Sequence, residues 1–416
     1  KDKKVVWSDR WQEKWDNLPS IKGSLSDGLL KALDTKPKVE QKVDTTNPEA
    51  YEFYLKAKHK YLKRENTNDT EIARGLLSKA IELDDNLIVA KILIGSTYRE
   101  MGDYDRAIKI DNSSLRQAEN LGNKLGMGYI LNNIGIVCYE KGEYDKALDY
   151  YERSLAIKEE LNNKYEMSST LNNIGSVHAD KGDYEKALDY FERSLTIFDE
   201  LGDKRGMGSI LNNLGIVCKN KGDYDKALDY YERSLTIFDE LGDKRGMGSL
   251  LSNLGIVYVS KDELDTALDY YGRSLAIQEE LGDKHGMGIS LGNIGIVHHD
   301  KGDYEQAEEY LEKSLAIYKE IGMIGGVTLW SNIYLYHVYK YIGKAYDKNE
   351  IYTLIKEAEN IEYELNYRLY ELLEDKSYLE TAYKQIQEKA SAMEDGAKFL
   401  SYPIPKAIVE EWEKVK

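Results

Sequence analysis

A segment of 40 residues recurs five times in this chain without insertion or deletion, and this repetition restricts the possible folds more than any other feature. The copies begin at Leu131, Leu171, Leu211, Leu251 and Leu291. Each copy contains two amphipathic patterns with helical spacing. Because two short helices cannot bury their own apolar faces, a repeat of this length predicts a stacked array of helix pairs.

The residues between the repeats also favour helices. No proline occurs between Pro48 and Pro403, so nothing in this stretch removes a backbone donor. Asn47 and Pro48 are typical of a helix N-cap and a first helical position. Within the first perfect copy we expect helices over about 127–140 and 144–161, with Gly142 as the C-cap of the first.

The pattern divides the chain into five segments. We expect an N-terminal extension that ends a preceding domain, two divergent repeat units, five near-identical units, degenerate repeat-like helices, and a C-terminal cap. These segments cover residues 1–47, 48–125, 126–325, 326–395 and 396–416, respectively. In the extension, Lys4–Trp7 is predicted to be a strand and Ile21–Leu33 an amphipathic helix. The missing initiator Met predicts that the chain is a piece of a longer protein.

Composition excludes several classes of function. The formal net charge of −17 argues against nucleic-acid binding, which requires clustered Lys and Arg to neutralise phosphates. No apolar run reaches the length of about 18 residues that a transmembrane helix requires, so we expect no membrane partner and a cytoplasmic protein. The two cysteines, Cys138 and Cys218, lie two repeats apart, too far for a disulfide, and we expect both to be free and buried.

No arrangement of residues predicts catalysis, a cofactor or a metal. Asp and Glu are spread evenly along the repeats, and no Ser-His-Asp or Cys-His set stands out. His298, His299 and Asp300 have the side chains of metal ligands, but adjacent helical residues point about 100° apart, and His298 occupies a core position. The GMG triplets lack the strand and the GK[ST] of a phosphate loop, so we expect them to allow close helix packing.

The repeat residues resemble the tetratricopeptide repeat. In the first perfect copy the family's small and aromatic positions hold Gly135, Ala147, Tyr151 and Ser154. The 40-residue length is similar to that of Pins-type scaffolds and kinesin light chains. The resemblance covers about 48–395 and implies an all-α fold, a right-handed superhelix or α-solenoid, of about eight helix pairs.

A second resemblance concerns the start of the chain. Val6–Arg10, Leu29–Leu33 and Asn47–Tyr51 resemble the junction between a TolB-like domain and tetratricopeptide repeats in bacterial proteins. Such proteins often carry a class III adenylate cyclase upstream. This resemblance implies that the chain is the regulatory or sensor region of a larger signalling protein.

A column of asparagines is the strongest candidate for a binding site. In a tetratricopeptide array the first helix of each unit, called helix A here, lines the concave face, and one inward position is identical in all five perfect copies. It holds Asn133, Asn173, Asn213, Asn253 and Asn293, beside a second position with Asn132, Asn172 and Asn212. In families that this chain resembles, asparagines at this position bind peptide backbone, because an amide both donates and accepts.

The column therefore predicts a non-catalytic scaffold that binds a peptide or protein segment in its groove, with specificity from variable positions such as Tyr139, Lys219 and His299. Two alternatives remain open at this point. The asparagines can instead bond to neighbouring helices and fix the repeat angle. The array can also be a structural solenoid that self-assembles into a homo-oligomer.

Overall fold

The computed structural model describes residues 47–64, 66–323, 325–356, 358, 361–391 and 396–416, and the regular structure in this part of the chain is helical. The predicted all-α fold is confirmed for these residues. The strand predicted at Lys4–Trp7 and the helix predicted at Ile21–Leu33 lie outside them. Backbone contacts divide the chain into two compact units, Lys1–Lys181 and Gly182–Lys416, called unit 1 and unit 2 below.

Unit 1 contains seven helices in its described part, packed as consecutive neighbours. They are α1 (Pro48–Leu62), α2 (Thr67–Leu83), α3 (Ile88–Glu100), α4 (Tyr104–Asn120), α5 (Lys124–Glu140), α6 (Tyr144–Glu160) and α7 (Lys164–Asp180). The helices α3, α5 and α7 are helix A of successive repeats. The helices α4 and α6 are the second helix, helix B, of theirs.

The repeats of unit 2 continue the same alternation of helix B and helix A. Their helices are α8 (Tyr184–Leu201), α9 (Lys204–Asn220), α10 (Tyr224–Glu240), α11 (Lys244–Ser260), α12 (Leu264–Leu281), α13 (Lys284–Asp300) and α14 (Tyr304–Glu320). A 3₁₀ turn follows at Gly325–Thr328. The C-terminal helices are α15 (Leu329–Ile342), α16 (Lys348–Lys356), α17 (Tyr363–Leu373), α18 (Lys376–Ser391), α19 (Gly396–Leu400) and α20 (Pro403–Val415).

Helix A begins three residues earlier than the sequence pattern predicts, at Lys124 instead of 127. The reason is an N-cap that is hard to recognise in the sequence, because the glycines in the first helical turn are poor helix formers. The side chain of Asn123 accepts from the Gly126 N–H at 2.8 Å, and Asp203 accepts in the same way from Gly206 at 3.1 Å. Such a cap satisfies a backbone donor that no residue of the helix can pair, so helix formation extends through the glycines.

The small residues of each repeat allow its two helices to touch. A Cβ atom added to Gly135 would lie 2.7 Å from the Tyr151 ring, so only glycine permits this approach. The hydroxyl of Ser154 donates to the Gly128 carbonyl at 2.7 Å and ties helix B to helix A. A Cβ on Gly206, in a GMG triplet, would lie 2.5 Å from the Phe198 ring, which confirms the close packing predicted for these triplets.

The two cysteines are free and buried, as predicted. Cys218 lies in a core cluster of unit 2 that includes Tyr231 and Leu254. Burial is the largest cause that raises the pKa of the Cys218 thiol to about 11. Both residues therefore act as small apolar side chains.

A glycine follows the end of helix A in most repeats because this position requires a left-handed backbone conformation. The φ angle is +72° at Gly142, +80° at Gly222 and +80° at Gly302, whereas Asp262 holds the equivalent position with φ at +64°. A residue with a Cβ atom is strained in this region by about 1 kcal/mol.

Replacing Asp262 by glycine is therefore expected to raise the free energy of unfolding by about 1 kcal/mol. Thermal unfolding followed by circular dichroism would show this as a higher midpoint. The matched control is Asp262→Ala, which keeps the Cβ atom and should give no gain. Equal midpoints for the alanine and glycine variants would contradict the explanation from backbone strain.

Candidate functional site

The candidate asparagines of unit 1 form a hydrogen-bonded ladder between neighbouring A helices. The Nδ2 of Asn173 on α7 donates to Oδ1 of Asn132 on α5 at 3.3 Å. One repeat earlier, Nδ2 of Asn133 donates to Oγ of Ser96 on α3, also at 3.3 Å. These asparagines and Asn172 are half-buried. The amides thus link each repeat to the one before it and still reach the surface.

Unit 2 repeats this arrangement once and then departs from it. The Nδ2 of Asn253 on α11 donates to Oδ1 of Asn212 on α9 at 2.9 Å. In the next repeat the accepting position holds Ser252, whose hydroxyl bonds to that of Ser274 at 2.9 Å. Within the described residues, Asn293 therefore lacks the amide acceptor that Asn212 provides for Asn253. Asn213, like Asn253 and Asn293, is half-buried.

A buried lysine that the helical periodicity does not indicate supports the ladder in unit 1. Lys158 on α6 is 2 % exposed, and its Nζ donates to Oγ1 of Thr170 at 2.7 Å. Thr170 in turn donates to Oδ1 of Asn132 at 3.3 Å. Burial is the largest cause that lowers the pKa of Lys158 to about 8, against the raising effect of nearby Glu166.

A comparison of repeat positions could have identified this lysine. The position of Lys158 holds Phe198, Phe238, Gln278 and Tyr318 in the other perfect copies. The position of Glu166 holds glycine in the three copies that follow. A charged pair therefore replaces a large side chain and a glycine in this repeat alone among the five.

The three positions predicted to give specificity, held by Tyr139, Lys219 and His299, have different surroundings in the structure. In unit 1 the Tyr139 hydroxyl donates to Asp180 of the next A helix at 2.5 Å. In unit 2 burial is the main cause that lowers the pKa of Lys219, and Lys389 on the C-terminal helix α18 lowers it further. His299 is 5 % exposed, and its ring bonds to that of His337. It is therefore not an open surface position.

The C-terminal helices pack against the A helices of unit 2. The ring of Tyr402 lies 5.2 Å from that of Tyr224 at the start of α10, and Tyr402 packs against the core cluster that contains Cys218 of α9, a helix A. Near the last repeat, Ile296 packs against the core cluster that includes Leu369 of α17, and Arg368 pairs with Asp300. Sequence reasoning expected these helices only to continue and cap the array. The structure shows that they also contact α13, a helix A of the same unit.

The described residues contain no group of three or more His, Cys, Asp or Glu that could hold a metal ion. The ring of His298 lies stacked on Tyr310 at 5.6 Å between centroids, which places it against helix B. Within the described ranges, no helix has the length and apolar content of a membrane span.

Several solved structures share this architecture. A signal transduction ATPase with a tetratricopeptide repeat sensor from Pyrococcus horikoshii matches with a TM-score of 0.57 and 19% identity, over 75% of this chain and 49% of that one. The quorum sensor NprR from B. thuringiensis matches with 0.53 and 17%, over 87% and 97%. A Rap protein complexed with competence and sporulation factor matches with 0.52 and 16%, over 88% and 100%.

Sequence comparison adds a family to this shared fold. The comparison with curated protein sequences gave no match. The model of the tetratricopeptide repeat matches residues 87–160, 166–240 and 246–320, which together make up more than half of the chain. This chain therefore belongs to the tetratricopeptide repeat family.

Proposed function

We propose that this protein is a non-catalytic interaction scaffold that binds an extended peptide or protein segment along the A helices of unit 1. The observation that supports this proposal is that the asparagines of the ladder use only part of their hydrogen-bonding capacity within the chain. Each amide can donate twice and accept through two lone pairs. Asn173 and Asn133 each donate one bond to the preceding repeat, and within the described chain their Oδ1 atoms receive none.

The ladder therefore serves two roles that the sequence left as alternatives. One N–H of each amide fixes the repeat geometry and orients the side chain. The remaining N–H and the oxygen of Asn133 and Asn173 are left for a ligand. An extended peptide has free N–H and C=O groups along its backbone, so the ladder can bind it without reading its sequence. Tyr139 would contribute selectivity through its half-buried ring.

Unit 1 is the better candidate for ligand binding because several side chains on the A helices of unit 2 already have partners within the chain. Ile216 and Ile296 pack in clusters with residues of the C-terminal helices, and His299 bonds to His337. A ligand for these positions would first have to displace those helices.

Proteins of similar architecture support a ligand-binding role. One structural neighbour is a Rap protein complexed with competence and sporulation factor, and another is a quorum sensor. A third belongs to a signal transduction ATPase in which the repeats form a sensor. These descriptions support the proposal that the present repeats bind a ligand and act within a larger signalling protein.

The test is a selection of binders from a displayed library of random peptides, followed by affinity measurement with synthetic peptides. Changing Asn133 and Asn173 together to alanine should weaken binding by about 10- to 100-fold, because each lost hydrogen bond contributes roughly 0.5–1.5 kcal/mol. The matched control changes Asn213 and Asn253 of unit 2 to alanine and should leave the affinity within about twofold.

The same variants separate binding from folding. The helical circular dichroism of the unit 1 variant should match that of the wild type, since each amide contributes only one weak inter-repeat bond. Unchanged peptide affinity in that variant would show that the ladder does not contact the ligand. Failure of the library to yield any binder would count against the peptide-binding function itself.

A further inference from the structure

Two buried histidines face each other where the last repeat meets the C-terminal helices. His299 lies on α13 and His337 on α15, and they are 5 % and 1 % exposed. The Nε2 of His299 is 2.7 Å from Nδ1 of His337, which is the length of a strong hydrogen bond. One of these two nitrogens must therefore carry a proton and the other must accept it.

A carboxylate lies at each end of this pair. Nδ1 of His299 is 2.9 Å from Oδ1 of Asp300. Nε2 of His337 is 3.1 Å from Oε2 of Glu371 on α17. The four groups form one continuous row of hydrogen bonds that connects three helices.

An arginine closes the row into a ring. Arg368 of α17 donates to Oδ1 of Asp300 at 3.1 Å and to Oε2 of Glu371 at 3.0 Å, and only 8 % of the residue is exposed. Its single charge balances one of the two carboxylates. The side chains of Asp300 and Glu371 are 17% and 25% exposed, so a positive charge beside the second carboxylate would be stabilised there although solvent reaches it.

The remaining polar neighbours do not supply that charge. Rings of Tyr304, Tyr334 and Tyr341 lie 5.8, 4.9 and 6.3 Å from the His299 ring. The Tyr334 hydroxyl donates to Glu364, and burial is the largest cause that raises the pKa of this carboxyl. Tyrosine is neutral near pH 7, so the positive charge falls to the histidine pair.

Counting protons gives the same result. Three N–H protons on the four ring nitrogens satisfy the contact with Asp300, the contact between the rings and the contact with Glu371. With two protons, one contact brings a nitrogen lone pair against another lone pair or a carboxylate. With four protons, two N–H groups face each other across 2.7 Å. Burial lowers the pKa of His337 while Glu371 acts in the opposite direction, so a second positive charge on the pair is disfavoured.

We propose that His299 and His337 share one proton and form a pH-sensitive clamp that holds α15 and α17 on α13, helix A of the last repeat. The clamp is closed at intermediate pH and weakens when the pair loses its proton or gains a second one. Ile296, which lies on α13 with His299, packs against the core cluster that contains Ile333 of α15 and Leu369 of α17. Opening the clamp therefore uncovers the part of α13 that carries Ile296 and His299, so pH controls access to this surface of the last repeat.

Hydrogen–deuterium exchange of the full chain between about pH 5 and 9 tests the clamp, with each rate corrected for intrinsic exchange at that pH. Protection of α15 and α17 should pass through a maximum and fall by about tenfold on either side. The variant His337→Gln should lose this maximum. The matched control, His298→Gln, changes a neighbouring histidine outside the row and should keep it.

A second measurement on the wild-type protein does not depend on a folded variant. Nuclear magnetic resonance with ¹⁵N-labelled histidine should show a low-field proton coupled to nitrogens of both rings at intermediate pH. Protection that changes in only one direction across the pH range would overturn the proposal. A maximum that persists in His337→Gln, or rings that do not share a proton, would do the same.

Discussion

Replacing Asp111 by leucine is expected to raise the free energy of unfolding of unit 1 by about 3 kcal/mol near pH 8. Asp111 lies on α4 and is only 1 % exposed. The equivalent position holds Tyr151, Phe191, Tyr231, Tyr271 and Leu311 in the perfect repeats. A carboxyl group therefore occupies a position that the repeat architecture fills with an apolar side chain.

The cost of this carboxyl comes from its surroundings. Its Oδ1 is buried without a hydrogen-bond partner in the described chain. Burial raises the pKa of Asp111 to about 8, although Arg99 acts in the opposite direction. A leucine can make this contact with helix A, because a Cβ atom on Gly295 would lie 2.7 Å from Leu311, against 2.4 Å between a Cβ on Gly95 and Asp111.

The effect of this residue must depend on pH. Below pH 3.8, the ordinary value for Asp, both the folded and unfolded states hold the proton, and ionisation costs nothing. Between this value and about 8 the unfolded chain releases the proton while the folded chain retains it. The unfolded state then binds fewer protons, so the stability of the wild type falls as pH rises. The gain from Asp111→Leu should increase over the same interval.

Thermal unfolding of the full chain at several pH values, combined with hydrogen exchange of α4, measures this gain. The matched control is Asp105→Leu, which makes the same change on the same helix at a side chain that is 94% exposed. The control should be nearly neutral at every pH. A gain from Asp111→Leu that is the same at about pH 4 and pH 8 would show that the carboxyl does not carry the predicted cost.

The repeats made most of the fold predictable, because the same small, aromatic and capping residues recur at fixed positions. Gly135 and Tyr151 identify a close helix contact from sequence alone, and the structure places a Cβ atom at Gly135 within 2.7 Å of that ring. The asparagine column was recognisable for the same reason. The sequence did not reveal which amide groups form bonds between repeats and which have no hydrogen-bond partner in the described part of the chain. This depends on whether the preceding repeat supplies an amide such as Asn212 or a hydroxyl such as Ser252.

Residues whose partners come from distant segments escaped prediction. His299 occupied a groove position in the sequence analysis, but its partner His337 is 38 residues away on a helix outside the repeat pattern. Arg368 and Asp300 are 68 residues apart. Periodicity reports which residues share a face within the array. It carries no information about a non-repeating segment that folds back onto that face.

Lys158 differs from these residues, because the repeat pattern shows that a lysine is unusual at this position. The pattern does not show the free-energy cost of burying its charge. Its ammonium group is buried beside Thr170 at 2.7 Å and only 3.6 Å from Glu166, whose side chain is 21% exposed. The carboxylate can therefore stay hydrated without the lysine. Methionine matches the length of the lysine stem and removes the charge.

We expect Lys158→Met to stabilise unit 1 by about 2 kcal/mol at neutral pH. Burial depresses the pKa from the ordinary value of 10.5 to about 8. Below pH 8 both states are protonated, and the folded state bears the full cost of the buried charge. Between about 8 and 10.5 the folded chain gives up the proton while the unfolded chain keeps it. The wild type then gains stability as pH rises, and its difference from the variant should close.

Urea titrations at about pH 7, 8, 9 and 10 measure this difference as the gap between the unfolding midpoints of the two proteins. Taking a difference removes the contribution of the tyrosines and of Cys138, which titrate identically in both. Lys124→Met is the matched control, because this lysine also pairs with a glutamate, Glu160, but is 52% exposed. Its gap should stay near zero. A gap for Lys158→Met that is constant through pH 10 would mean that the folded and unfolded chains bind this proton equally, so that burial does not lower the pKa of Lys158 from its ordinary value of 10.5.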